Sequence, residues 1–212
     1  MKHLFLLITI FLSFSLVAQQ RLEKSEKYIG TSHGVTASGV GFNPTVEQDY
    51  LLGYNGGIVY RYIADTNVGV QAELNFAQQG WHETQNNFSR RLSYIELPFL
   101  THIYLGDKTR FIINIGPQVG LLIAEQKLNE PENTTATRHT YQQTQTPQNT
   151  FDYGFSAGIG LLFTAGRNIF QLETRAYYAL GDVYSNNKRD YFSRSNNMKL
   201  SVNMVWLLRV GD

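Results

Sequence analysis

The sequence predicts an all-β protein, an eight-stranded antiparallel transmembrane β-barrel of the outer-membrane type. Three observations carry that prediction. Segment after segment alternates apolar with polar or small residues at period two. The connections between segments alternate short and long, the asymmetry of barrels with tight turns at one end and loops at the other. Nearly every charge within a segment sits opposite the apolar face, where a narrow interior requires charges of both signs to pair.

The hairpin over residues 90–122 states the rule most clearly. Phe111, Ile113, Ile115, Val119 and Leu121 share one face of its second arm, with Arg110, Asn114, Gly116, Gln118 and Gly120 opposite. The first arm sets Ile95, Leu97, Phe99, Ile103 and Leu105 against Tyr94, Glu96, His102 and Tyr104, and Gly106–Thr109 turn the chain. In a soluble sandwich the apolar face looks inward; in a membrane barrel it meets lipid and the polar face lines the inside.

In chain order, the first segment covers 28–37 and is rich in Gly and Thr. The second, 51–63, opposes Leu52, Tyr54, Ile58, Tyr60 and Tyr62 to Gly53, Asn55, Gly57 and Arg61. The third, 67–78, opposes Val68, Val70, Ala72, Leu74 and Phe76 to Gly69, Gln71, Glu73 and Asn75. The hairpin supplies the fourth and fifth. The sixth, 151–164, opposes Phe151, Tyr153, Phe155, Ile159 and Leu161 to Asp152, Gly154, Ser156, Gly158 and Gly160. The seventh, 168–180, carries Phe170, Leu172 and Tyr178 against Gln171, Glu173, Arg175 and Tyr177; the eighth, 198–210, carries Leu200, Val202, Met204 and Trp206 against Lys199, Ser201, Asn203 and Arg209. The connections 64–66, 106–109 and 165–167 are short, while 38–50, 79–89, 123–150 and 181–197 are long. Aromatic residues near segment ends, Tyr50, Tyr62, Tyr104, Phe111, Phe151, Phe163, Phe170 and Trp206, are candidates for interfacial girdles. With the N-terminus inside, an even strand number puts both termini in the periplasm.

Residues 1–18 have a secretory pattern: Lys2 and His3, then an apolar run ending at Ala18 before Gln19 and Gln20. They are expected to be a signal peptide, with a retained anchor as the alternative, and 19–212 to be the barrel domain. The formal charge of +1 gives no reason to expect a nucleic-acid partner, and the absence of cysteine excludes a lipid-anchored lipoprotein, a disulfide scaffold and a thiolate metal site.

The stretches SYIELPFLTHIYLG, FIINIGPQVGLLI, FDYGFSAGIGLLF and ETRAYYALGDVY resemble, in order and spacing, an outer-membrane β-barrel domain family that includes PorT-like proteins. The resemblance runs from about Ile29 to the C-terminus and is most specific in YIELP and NIGPQVG. It implies an eight-stranded barrel in the outer membrane, with some relatives linked to protein secretion or gliding machinery. The chain departs from the usual barrel-assembly signal by ending WLLRVGD, with no terminal aromatic residue.

Candidate chemistry is sparse. Gly154–Gly158 spell G-x-S-x-G, but a nucleophile elbow needs a strand, a strained turn and a helix, and here the period-two pattern runs on through Phe163, making Ser156 a small inward residue. The inward glycines are slots for large opposing side chains. No histidines have metal-ligand spacing, and no cofactor is expected. The expected lumenal cluster is structural: Arg61, Glu73, Glu96, His102, Arg110, Glu173, Arg175 and Lys199, with His102 hydrogen-bonded among Tyr94, Tyr104 and Glu96. Pro98 and Pro117 fall mid-strand, where each removes a ladder donor, so local bulges are expected. The Thr- and Gln-rich stretch 124–150 has the composition of a solvated mobile segment. The function these features support is a non-enzymatic module that binds outer-membrane lipid and other envelope proteins; a lipid-modifying enzyme and a narrow pore are the alternatives.

Overall fold

The computed structural model describes residues 21–85, 87–106, 109–129, 140–187 and 190–211. The expected signal segment lies outside them. The strands are β1 (Arg21–Asn43), β2 (Gln48–Asp49), β3 (Leu51–Asp65), β4 (Val68–Glu83), β5 (Phe88–Leu105), β6 (Thr109–Asn129), β7 (Phe151–Ala165), β8 (Asn168–Asp182) and β9 (Arg194–Arg209), with one helical turn, α1 (Tyr141–Thr144). Each long strand pairs antiparallel with its neighbours, β1 with β9 and β4 with β5 included, so eight long strands close into a ring. The two-residue β2 lies outside that ring and pairs with the far end of β4.

Residues 66–67, 106–108 and 166–167 connect strands at one end, and 44–50, 84–87, 130–150 and 183–193 at the other. We call these the short-turn and long-loop ends. Gly106 (φ +99°) and Gly166 (φ +61°) supply the left-handed backbone that two of the tight turns need. Strands β1, β4, β5 and β6 run further toward the long loops than the alternation indicates. The reason is visible in β6, where exposure alternates up to Ile123 and then lapses from Ala124. Beyond the apolar band the ladder continues, but no lipid demands an apolar residue at every second position.

The expected bulges at Pro98 and Pro117 are absent. Pro98 pairs opposite Gln118 and Thr101 opposite Ile115, so the β5–β6 register is the same on both sides of the prolines. The β6–β7 register also runs unbroken through Pro117. The β5–β6 ladder skips a short stretch instead, and the β4–β5 ladder does so between Ala72–Phe99 and Asn75–Glu96, beside Pro98. A missing N–H thus interrupts pairing without inserting a residue. The shifts in β5–β6 lie elsewhere, at Ser89/Arg90 and Ser93/Tyr94.

The interior is layered. At the short-turn end, Tyr28, Val59, Ile63, Tyr104, Ile112, Leu162, Ile169, Val205 and Leu207 form a buried apolar plug. Tyr104 belongs to this plug, 1% exposed, and not to a girdle. Charged and amide side chains fill the middle. At the long-loop end Val40, Phe42, Trp81, Phe88, Leu92, Tyr94, Val183, Tyr184 and Phe192 form a second cluster, an aromatic cap. Outward stand large apolar residues, among them Leu97, Phe99, Ile115, Phe155, Ile159, Leu172 and Trp206.

Candidate functional site

The polar layer is built from inward positions of β3, β4, β5, β6, β8 and β9. Arg175 of β8 donates to both carboxylate oxygens of Glu73 on β4, at 2.9 and 2.7 Å, and also to Glu173. Glu73 further accepts Asn75 Nδ2 at 2.6 Å and Gln71 Nε2 at 2.5 Å. Glu173 accepts Gln171 Nε2 at 2.6 Å and Asn114 Nδ2 at 2.7 Å. Arg61, fully buried, donates to the amide oxygens of Gln71 and Gln171, at 2.6 Å each. Two glutamines therefore relay the Arg61 charge to the two carboxylates that hold Arg175. Two guanidinium and two carboxylate groups balance, which is how charges remain stable in so dry an interior.

A second pair crosses the barrel nearer the long loops, where Lys199 of β9 donates to both oxygens of Glu96 on β5. The Lys199 ammonium also lies 5.2 Å from the ring centre of Tyr177. The other two expected members stand apart from these pairs. Arg110 is half-buried at the short-turn mouth with its guanidinium 5.9 Å over the Tyr104 ring. His102 is buried and stacks on Tyr104 with ring centres 6.0 Å apart, and neither of its nitrogens has a hydrogen-bond partner among the described residues. The expected bonds to Tyr94, Tyr104 and Glu96 are not formed, because Tyr94 instead accepts Asn197 and Glu96 is taken by Lys199.

Close packing explains the inward glycines. A Cβ on Gly158 would meet Asn114 Oδ1 at 2.6 Å and the Thr174 carbonyl at 2.7 Å. Ser156, the centre of the G-x-S-x-G string, is buried in mid-strand and donates to Gln118 Oε1 at 2.7 Å. No helix follows it, since β7 continues to Ala165. Among the described residues, no group of His, Asp and Glu side chains is arranged to hold a metal ion.

Sequence reasoning missed Arg90. Fully buried in the cap, Arg90 donates to the carbonyls of Gln145 and Gln143, at 2.5 and 3.0 Å, and to the Tyr184 hydroxyl at 3.0 Å. Its guanidinium lies 5.7 Å from the Trp81 ring and 5.6 Å from Phe88. Glu83, buried beside it, accepts Gln143 Nε2 at 2.6 Å and Trp81 Nε1 at 3.1 Å. Burial pushes the Tyr184 hydroxyl above its ordinary pKa, so it stays protonated and donates to the Gln142 carbonyl at 2.9 Å. The described part of the Thr- and Gln-rich stretch therefore departs from its expected mobility. Residues 124–129 continue β6, and α1 with Gln145 is drawn into the barrel mouth.

The family model described as outer membrane protein beta-barrel domain matches residues 17–185. The chain belongs to this family. For an outer-membrane β-barrel domain the outward apolar band is the lipid-facing surface, and the layered side chains fill the lumen. The outer membrane protein OprG of Pseudomonas aeruginosa has a similar fold, with 10% identity over 89% of this chain and 97% of its own, at a TM-score of 0.51. Neisserial surface protein A (8% identity, 86% and 98% covered, TM-score 0.48) and outer membrane protein W of E. coli (11%, 86% and 98%, 0.42) are also similar. At these identities the likeness is one of fold alone. No curated protein matches the chain.

Proposed function

We propose that this outer-membrane barrel is a non-enzymatic scaffold that binds other envelope proteins, as the resemblance to PorT-like proteins and their link to secretion machinery implies. The observation that carries this reading is the filled lumen. An apolar plug, a balanced ion network and an aromatic cap leave no described passage for a solute, and an eight-stranded ring is just wide enough for its own side chains. A lipid-modifying enzyme would need a polar catalytic set at the lipid-facing rim, whereas the serines of the two G-x-S-x-G strings, Ser32 and Ser156, are both buried in mid-strand, and Ser156 is bonded to Gln118. In this reading the long loops face outward, both termini are periplasmic, and function resides on the loop surface and the wall that meets lipid.

Cross-linking in intact envelopes followed by detergent extraction should recover the chain joined to other envelope proteins, while planar bilayers with the purified protein should show no steady conductance. A stable single-channel current would overturn the reading in favour of the pore. Altered lipid composition in a deletion strain, restored only by a chain with Ser156 intact, would overturn it in favour of the enzyme.

A further inference from the structure

At the long-loop end, outside the lumen, a cleft of about 510 Å³ opens between the start of β7 and the end of β8. Its floor is aromatic. Phe151 and Tyr153, 56% and 45% exposed, lie with ring centres 6.1 Å apart and planes inclined by only 25°. The two rings are stacked, and Gly181 leaves room beside them, since a Cβ there would sit 3.3 Å from two carbons of the Tyr153 ring.

The walls are polar and tied together across two loops. Asn149 N–H donates to the Val183 carbonyl at 3.2 Å, Asn149 Nδ2 to the Asp182 carbonyl at 2.8 Å, and Ser185 N–H to Gln148 Oε1 at 3.1 Å. The Asp182 carboxylate is held by the Ser195 N–H on one oxygen and by Asn186 Nδ2 at 2.7 Å on the other. Each oxygen keeps a lone pair for a further donor. The rim is therefore shaped before any ligand arrives, which lowers the ordering cost of binding.

From this arrangement we infer that the cleft binds the pyranose ring of a neutral sugar. A pyranose has an apolar C–H face and a rim of hydroxyls, and the cleft offers two exposed aromatic rings together with a carboxylate, amides and the Thr150 hydroxyl. Asp182 is the only charged residue in the lining, so a phosphate or an acidic sugar is repelled. A quaternary ammonium would be better served by rings on several sides, and here both rings come from one strand, β7. The site lies where apolar wall gives way to polar loops, as suits the headgroup of a glycolipid or a free glycan reaching the surface. The inference does not depend on the scaffold reading, because it uses only the side chains that line the cleft.

The test is a ¹H–¹⁵N titration of the full chain in phosphatidylglycerol nanodiscs with methyl glucoside, methyl galactoside and methyl mannoside. Choline and inorganic phosphate serve as comparison ligands. At least one glycoside should move the amides of Asn149, Gly181 and Asn186, and Tyr153→Leu should weaken it about tenfold or more. Asp182→Asn should weaken it too, with Phe151→Leu as the second variant in case the loops loosen. Nanodiscs containing lipopolysaccharide separate the sources: shifts with the lipid alone assign the site to a glycolipid headgroup, and shifts with soluble glycosides assign it to free glycan. The inference is overturned if neither moves these amides, if choline or phosphate moves them instead, or if folded Tyr153→Leu and Phe151→Leu bind as tightly as the parent.

Discussion

The two ends of the lumen are both closed by apolar side chains, yet they are closed differently. The short-turn plug is made by the barrel strands themselves, with residues such as Val59, Ile112, Leu162 and Leu207 projecting inward from the ring. The long-loop cap draws Tyr184 and Phe192 from the loop after β8, packs Tyr141 of α1 against them, and fastens the assembly through Arg90. A plug residue cannot leave without opening the ladder, whereas Val183, Tyr184 and Phe192 of the cap can leave its strand-borne half by moving a loop. The plug should therefore share the global stability of the barrel, and the cap should open on its own at lower cost.

The ion network lies between the two and should be the costliest place to cut. Arg175→Ala strands Glu73 and Glu173, 2% and 1% exposed, without their shared cation. We expect a loss of about 3–5 kcal/mol in urea unfolding measured in lipid vesicles. Glu96→Ala, which leaves Lys199 unpaired, should cost about 2–4 kcal/mol in the same assay. Wild-type stability in either variant would mean that this layer is solvated, and the division into plug, network and cap would fail.

The next contrast separates plug from cap directly. Leu207→Ala removes a fully buried plug side chain and should lower global stability by about 2–4 kcal/mol. Arg90→Ala deletes the bonds that hold Gln143 and Gln145 and should lower it by only about 1 kcal/mol, since the freed carbonyls can turn to water. Limited proteolysis should nevertheless cut Arg90→Ala near residues 141–145, where the parent and Leu207→Ala resist. If Arg90→Ala proved as costly as Leu207→Ala, with no new cleavage, the cap would be part of the barrel's cooperative core.

This contrast also marks what was legible in the sequence. Alternation exposed the seven long strands after β1, because lipid on one side imposes period two where the chain crosses it, while the Gly- and Thr-rich β1 alternates poorly and proved much longer than 28–37. Alternation placed Glu73, Glu173 and Arg175 inside, though it could not say that Gln71 and Gln171 would link them to Arg61. That link depends on the register across β3, β4 and β8, which periodicity does not contain. The plug was hidden for a related reason. Ile112, Leu162 and Leu207 each stand beside an outward apolar residue in the runs FII, LLF and WLL. A run of apolar residues says one must face inward, but only closure of the ring gathers the inward ones at a single end. The cap was hidden more deeply still. Gln and Thr in 140–145 read as solvated chain, and the signal that they would be buried lay in Arg90, distant in sequence and apparently a charge at a strand start.

The smallest expected effect lies at the rim, beyond the cap, and it is a response to pH. Asp190 is partly exposed, and its carboxylate accepts the Ser185 hydroxyl at 2.7 Å and the Asn187 N–H at 2.9 Å. These bonds favour the ionised form and hold its pKa below the ordinary carboxylate value. Because the pKa is depressed in the folded loop, the carboxylate supports the loop fully above the ordinary value. That support is lost as pH falls through the lower folded-state value. The Asn187 amide should thus be protected from hydrogen exchange near neutrality and lose protection on acidification, while Tyr184, shielded by the cap, keeps its own. Asp190→Asn should abolish the pH response at Asn187 without moving the urea midpoint of the barrel. If acidification released the Tyr184 amide together with that of Asn187 in the Asp190→Asn variant, the cap itself would be titrating. It would then belong to the same local opening as the rim.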